Sequence, residues 1–192
     1  MNDAASAGES APVAGSPEFS IRPATATDAA ALAEVAAETF PLACPPHTLP
    51  ESIAAFIAAN LSPDSFTAYL ADPSRALFIA DVAGETAGYT MVVFGEPGDP
   101  DVAAVVTARP TAELSKVYVR EGQHGAGLAG ELVHASVECA RDRGTVTLWL
   151  GVNQENVRAN RFYEKQGFAL VGTKRFLVGE RYEDDYVRQL TL

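Results

Sequence analysis

"NVRANRFYEKQGF", residues 156–168, makes a poor amphipathic helix. Arg158, Asn160, Arg161, Glu164 and Lys165 dominate it, and its apolar positions before the closing Gly-Phe are Val157, Ala159, Phe162 and Tyr163. Such a narrow apolar stripe cannot hold a helix by burial alone. Asn156 is nevertheless a good N-cap and Gly167 a good residue for the turn after the last helical position. The stretch therefore predicts a short helix with defined ends, held by packing and by a ligand.

Working outward, "TVTLWLGV" (145–152) is a near-continuous apolar run, as a central strand should be. Before it, residues 127–143 predict a helix with Leu128, Leu132, Ala135 and Cys139 on one face and Gly144 as its cap. After the charged helix, "FALVGTKRFLVG" (168–179) and "EDDYVRQLTL" (183–192) read as a closing strand pair. Towards the N-terminus, "FSIRPAT" (19–25) alternates as a strand, and Thr27 or Asp28 caps an Ala-rich helix to about Thr39. "PLACPPHTLP" (41–50) breaks that helix, a second runs from Glu51 to Asn60, and "SFTAYLAD" (65–72) is a third. "RALFIADV" (75–82) and "TAGYTMVVFG" (86–95) form a hairpin around Gly84, Glu85 and Thr86. "VAAVVTA" (102–108) and the strand "TAELSKVYV" (111–119) follow. The order is β, helices, ββ, βα, βα, ββ, which predicts a mixed α/β sandwich around one central sheet.

The 192 residues fit one domain, expected over 18–192, and 47% hydrophobic with 20% charged residues is an ordinary globular composition. "MNDAASAGESAPVAGSP" (1–17) reads as a disordered leader, since it lacks the basic and apolar regions of a signal peptide. No apolar run reaches the roughly 18 residues of a membrane span. Cys44 and Cys139 have neither metal-ligand nor catalytic spacing. A cytoplasmic protein without metal, membrane or nucleic-acid partners is the expectation. A formal charge of -11 opposes phosphate binding over a broad surface and is compatible with a cationic substrate.

"VYVREGQHGAGLAGELV" (117–133) places Gly125, Gly127 and Gly130 as G-x-G-x-x-G. Five residues, Arg120–His124, separate the first glycine from the strand, and the next strand ends Gly151-Val152-Asn153 without an acid. Both features count against a dinucleotide site. No Lys-Ser or Lys-Thr follows, so the turn is not a P-loop either. Small residues still expose backbone N–H groups at a helix N-terminus, where a phosphate-bearing ligand is favoured.

Together the two stretches resemble the GNAT superfamily of N-acetyltransferases. Its Q/R-x-x-G-x-G/A turn falls on His124, Gly127 and Ala129, with His124 in place of Gln or Arg. Its N-x-x-A-x-x-F-Y-x-x-x-G-F pattern is met by Asn156, Ala159, Phe162, Tyr163, Gly167 and Phe168. The resemblance covers about residues 19–192 and implies a mostly antiparallel central sheet flanked by helices on both faces. It implies acetyl-CoA as co-substrate, with cofactor contacts from Val117, Tyr118, Val119, His124, Gly125, Ala126, Gly127, Leu128, Ala129, Gly130, Asn156, Ala159, Phe162 and Tyr163. The N–H groups of Val117–Val119 would stabilise the tetrahedral intermediate, and Tyr163 would protonate the leaving thiolate. Glu113 is the candidate base, on one side of its strand with Ser115 and Val117 by alternation, the alternative being an exposed strand-end acid. Glu34 and Glu38, four apart on one face of the first helix, read first as a solvated helix face, the alternative being carboxylates presented to a cationic substrate.

"LWLGVNQENVRANRFYEKQGF" with "FLVG" and "DDY" after it is most similar to a bacterial branch acetylating spermidine and spermine. Protein lysines, peptide N-termini and amine antibiotics stay open as acceptors, as does a non-catalytic acyl-CoA-binding module. The resemblance implies a monomer or a homodimer.

Overall fold

The computed structural model describes residues 19–123, 127–178 and 181–192. The leader expected at 1–17 lies outside them. Seven strands form one sheet: β1 (Phe19–Pro23), β2 (Arg75–Val82), β3 (Glu85–Phe94), β4 (Thr111–Val119), β5 (Thr147–Asn153), β6 (Ala169–Val178) and β7 (Arg181–Thr191). Their order is β1-β2-β3-β4-β5-β7-β6, and every neighbouring pair is antiparallel except β4–β5. The helices are α1 (Ala29–Ala43), α2 (Pro50–Asn60), α3 (Pro63–Ala71), α4 (Pro100–Val105), α5 (Leu128–Asp142) and α6 (Val157–Lys165). No helix among the described residues is long and apolar enough to cross a membrane.

Helices cover both faces. On one, α1 and α3 bury Leu32, Val35, Phe40 and Phe66 against Leu77, Ile79, Tyr89 and Met91. On the other, α5 buries Leu132 against Ala80 and Ala87, and Val133, Val137 and Ala140 against Val92, Leu114 and Leu148. The buried stripe of α5 is turned from the expected one. Ser136 is in it and Ala135 is only half-buried. The Ser136 hydroxyl is satisfied by Leu132 O (2.9 Å) and Thr90 Oγ1 (2.8 Å), so a polar residue is tolerated there.

One helix ends later than the sequence expectation, and one apolar run that carries no expected element is helical. α1 continues through Pro41 to Ala43, because a proline near the C-terminus removes only one intrahelical bond. It stops at Cys44 (φ -77°, ψ 145°), which Pro45 forces into extended backbone. The residues gained, Phe40 to Ala43, reach the site described below. In "VAAVVTA" the apolar run belongs to α4, whose N-cap Asp99 accepts from Asp101 N (2.9 Å) with Pro100 at the first helical position. Val102 and Val106 thereby pack on Trp149 and Val187.

Two irregularities shape the sheet's centre. β4 and β5 pair only at Thr111–Glu113 with Thr147–Trp149, and beyond that point they diverge. The second is a bulge in β4, where Leu114 pairs with Val92 and Lys116 with Met91, leaving Ser115 as the extra residue.

Candidate active site

The bulge corrects the expected alternation of β4. Glu113 keeps Ser115 beside it in the same cavity but does not share its side with Val117. Glu113, Lys116 and Tyr118 pair with Val93, Met91 and Tyr89, which alternate on one face of β3. Val117 moves to the opposite face with Leu114 and Val92. Glu113 therefore points towards the α1–α3 layer. It is not an exposed strand-end acid.

There a cavity of about 240 Å³ is lined by Glu113, Lys116, Tyr118, Lys174, Glu183 and Asp185, among others. β7 places Glu183 and Asp185 on one face by simple alternation with Val187. Phe40 of α1 stacks on Phe56 of α2 (4.4 Å between centroids, 6°), and Phe56 meets Phe176 edge-on at 5.8 Å. These rings form the apolar wall. The α1–α2 loop contributes Cys44 and Pro45, and His47 Nε2 lies 3.0 Å and 3.2 Å from the two Glu183 oxygens.

Burial governs the electrostatics. It pushes the Glu113 carboxyl up, while Lys174, Lys116 and Arg75 oppose that rise. Burial pushes Asp185 up to about 6 against the pull of Lys174, and Glu183 and Asp184 add repulsion. It pushes Lys116 down to about 8, although Glu113 resists. Cys44 is pushed up to about 11, so its thiol stays protonated near neutrality.

Holding Asp185 ionised has a measurable cost. Its folded value exceeds the ordinary 3.8, so stability from this group is greatest below pH 4 and is lost as pH rises through about 6. Asp185→Asn is therefore expected to be more stable than wild type at pH 7.5, by up to about 3 kcal/mol. Urea denaturation at pH 7.5 and pH 4.5 checks this. The gain should shrink at the lower pH, and a gain independent of pH would rule the explanation out.

A second cavity runs between the end of α1 and the α5–α6 side. Of the residues expected to meet a cofactor, Val117, Tyr118, Val119, Ala129, Asn156, Ala159, Phe162 and Tyr163 line it. Gly127 (φ 83°) caps α5 in a left-handed conformation, and a Cβ there would meet nothing within 4 Å. Gly130 also has room for a Cβ, its nearest neighbour being Gln166 Nε2 at 3.6 Å. Packing thus does not demand glycine at 130, and the helix entrance stays open for a ligand. Leu128 differs from the other expected contacts because its side chain is in the core with Leu132 and Val119. Only its backbone faces the turn. His124, Gly125 and Ala126 lie outside the described residues.

The charged helix α6 is built as its ends suggested. Asn156 Oδ1 accepts from Ala159 N at 3.0 Å. After Lys165, Phe168 N donates to Tyr163 O (2.9 Å) and Gly167 N to Glu164 O (3.0 Å), the paired bonds of a Schellman motif with Gly167 at φ 88°. Inside, Asn160 Nδ2 donates to Asn153 O and Asn156 O, and Arg188 donates to Asn160 Oδ1 and Phe168 O (both 3.1 Å). Phe162 and Tyr163 pack against Phe168 and Val152. Burial pushes the Tyr163 hydroxyl well above its ordinary value near 10.

Asn156, Ala159, Val117, Tyr118 and Tyr163 line both cavities. The cavities therefore meet at the gap between β4 and β5. Glu34 and Glu38 take no part in either, because Arg120 holds them. Nη2 donates to Glu34 at 2.9 Å, and Nε stands 3.0 Å from Glu38 at an angle too bent for a hydrogen bond. Lys116, Lys174, Glu183, Asp185 and His47 were missed as site residues. Alternation in "EDDYVRQ" could have flagged Glu183 and Asp185, but Lys116 depends on the bulge and His47 on a contact 136 residues away.

The Acetyltransferase (GNAT) family model matches residues 31–168. An uncharacterized N-acetyltransferase of Mycobacterium tuberculosis is 49% identical over 84% of this chain and 96% of its own. The chain thus belongs to the GNAT family and is an N-acetyltransferase, an acyltransferase. Among solved structures, the PaiA N-acetyltransferase of Thermoplasma acidophilum in complex with coenzyme A shares the fold (TM-score 0.72, 17% identity, 91% of this chain and 99% of that one). The ribosomal-protein-alanine N-acetyltransferase of Brucella melitensis is 26% identical (TM-score 0.61, 90% and 99% covered).

Proposed function

We propose that the protein transfers an acetyl group from acetyl-CoA to a primary amine by direct attack in a ternary complex, and that the amine is a polyamine. The observation that carries this reading is the meeting of the two cavities at Tyr163, Val117 and Tyr118. The cofactor supplies an activated acetyl thioester. Gly127 and the first N–H groups of α5 offer its phosphates a helix N-terminus, and β4 at Val117 and Tyr118, beyond its pairs with β5, offers N–H donors to the carbonyl as negative charge develops.

An alkyl amine with a pKa near 10.4 must lose a proton, which costs about 4 kcal/mol at pH 7.5. Glu113 takes that proton, directly or through water, and its burial-raised pKa suits it to the task. Tyr163 stays protonated at working pH and donates to the departing sulfur. Glu183 and Asp185 then face the remaining positive charge of a polyamine, in a chain of net charge -11. The likeness to an alanine N-acetyltransferase of Brucella melitensis favours a second reading, a peptide N-terminus as acceptor.

Thiol release from acetyl-CoA at pH 8 tests both, with spermidine, spermine, lysine peptides, Ala-starting peptides and aminoglycosides offered in parallel. Saturable release with a polyamine supports the first reading, and release only with Ala-starting peptides replaces it by the second. Silence across the panel, with CoA bound tightly, would remove both.

A further inference from the structure

Lys174 has no role in the reaction so far. It lies on β6 opposite Asp185 of β7, which pairs with Asn153 of β5. Its side chain crosses β7 and comes down on β5 at Gly151. A Cβ built on Gly151 would stand 2.5 Å from Lys174 Cε, and 3.3 Å from both Lys174 Nζ and Asp185 Oδ2. Gly151 needs no left-handed backbone, and glycine in the middle of a strand weakens it. The lysine stem gives a reason for glycine at this position. Phe176 flanks the ammonium, 5.2 Å from ring centroid to Nζ.

The ammonium is thereby set in the acceptor cavity with Glu113 and Asp185. Neither carboxylate has a hydrogen bond or close ion pair among the described residues, and Lys174 is the strongest favourable charge on each. The other charged or titratable groups around them are Lys116 on β4, Arg75 on β2, Glu183 and Asp184 on β7, and His47 on Glu183. Tyr118, Tyr163 and Cys44 complete the cavity's titratable lining. A buried carboxyl tends to hold a proton, the more so beside other carboxylates as Asp185 is beside Glu183 and Asp184, and a carboxyl holding a proton cannot accept one from the substrate.

We propose that Lys174 is a positioning residue: laid across Gly151, its ammonium is the built-in counter-ion that keeps Glu113 and Asp185 ionised while the amine binds. The inference rests on the reading of Glu113 as base. It also gives the cavity a charge rule. With one cationic place already taken by the protein, an acceptor's ammonium must bind beside Lys174.

The test is kcat/KM against pH for wild type, Lys174→Met, Lys174→Arg, Gly151→Ala and Glu113→Gln, using the best amine of the panel. In Lys174→Met the acid limb should move up by about one pH unit. Activity on the acid side of the limb would then fall by up to about tenfold and return towards wild type near pH 9. Lys174→Arg should keep the wild-type limb, and Gly151→Ala, which displaces the lysine without removing it, should shift as Lys174→Met does. Should a thermal melt show Gly151→Ala unfolded, the Met and Arg pair decides alone. A Lys174→Met limb that stays put, or a loss equal at every pH, overturns the inference, and an inactive Glu113→Gln beside it leaves the base reading standing. Full activity in Glu113→Gln overturns the base reading, and this inference with it.

Discussion

Tyr163→Phe is expected to bind acetyl-CoA almost as wild type does and to lose about 10²-fold in kcat, the lower end for a lost general acid. The ring stays in place without its hydroxyl. It is held by Phe162 and Phe168 (centroids at 5.2 Å and 5.9 Å) and by the two bonds that close α6. What disappears is the one hydroxyl on α6 that lines both cavities. Burial keeps the Tyr163 phenol protonated, so it stands ready as a hydrogen-bond donor to the departing thiolate, whose own desolvation in the same cavity raises its demand for a proton. Calorimetric titration with acetyl-CoA and steady-state rates check the split between binding and turnover. Unchanged kcat would remove Tyr163 from the chemistry.

Arg188→Met should destabilise the protein by about 2–4 kcal/mol, near the upper range for single substitutions. Arg188 is 9% exposed and bonds Asn160 Oδ1 and Phe168 O. Methionine fits the space but orphans both acceptors. Relief from burying a cation offsets part of that loss, since no carboxylate bonds Arg188 among the described residues. Asn160 in turn ties the β5–α6 turn at Asn153 and Asn156, so a loosened α6 should also weaken acetyl-CoA binding by about tenfold. Urea denaturation and the same titration measure the two effects. A stability change under about 0.5 kcal/mol would mean that desolvation cancels the hydrogen bonds.

The sequence carried local structure well and cross-strand geometry poorly. The ends of α6, the glycine after it and the apolar run of β5 are local signals, and each has the expected form. That one cavity gathers most of the residues expected to meet the cofactor has the same reason, since they come from two contiguous motifs. The cavity around Glu113 was not legible. It gathers Glu113 and Lys116 through a one-residue bulge, Lys174 through a glycine two strands away, and His47 through a loop with no periodicity. The helical run in "VAAVVTA" was also hidden, because six residues are too few for a period of 3.6 to emerge.

Mechanically, the sheet is two leaves bound along a short spine. β1–β4 form one leaf and β5, β7 and β6 the other, joined by three residue pairs and tightened by Thr111 Oγ1 to Thr147 O and Val146 N to Pro110 O. Glu113 and Lys116 ride on the first leaf, Lys174, Glu183 and Asp185 on the second. A ligand lying in the slit would stand where the ladder between β4 and β5 has no rungs. The two cavities share that one hinge, so a change in the angle between the leaves alters the width of both.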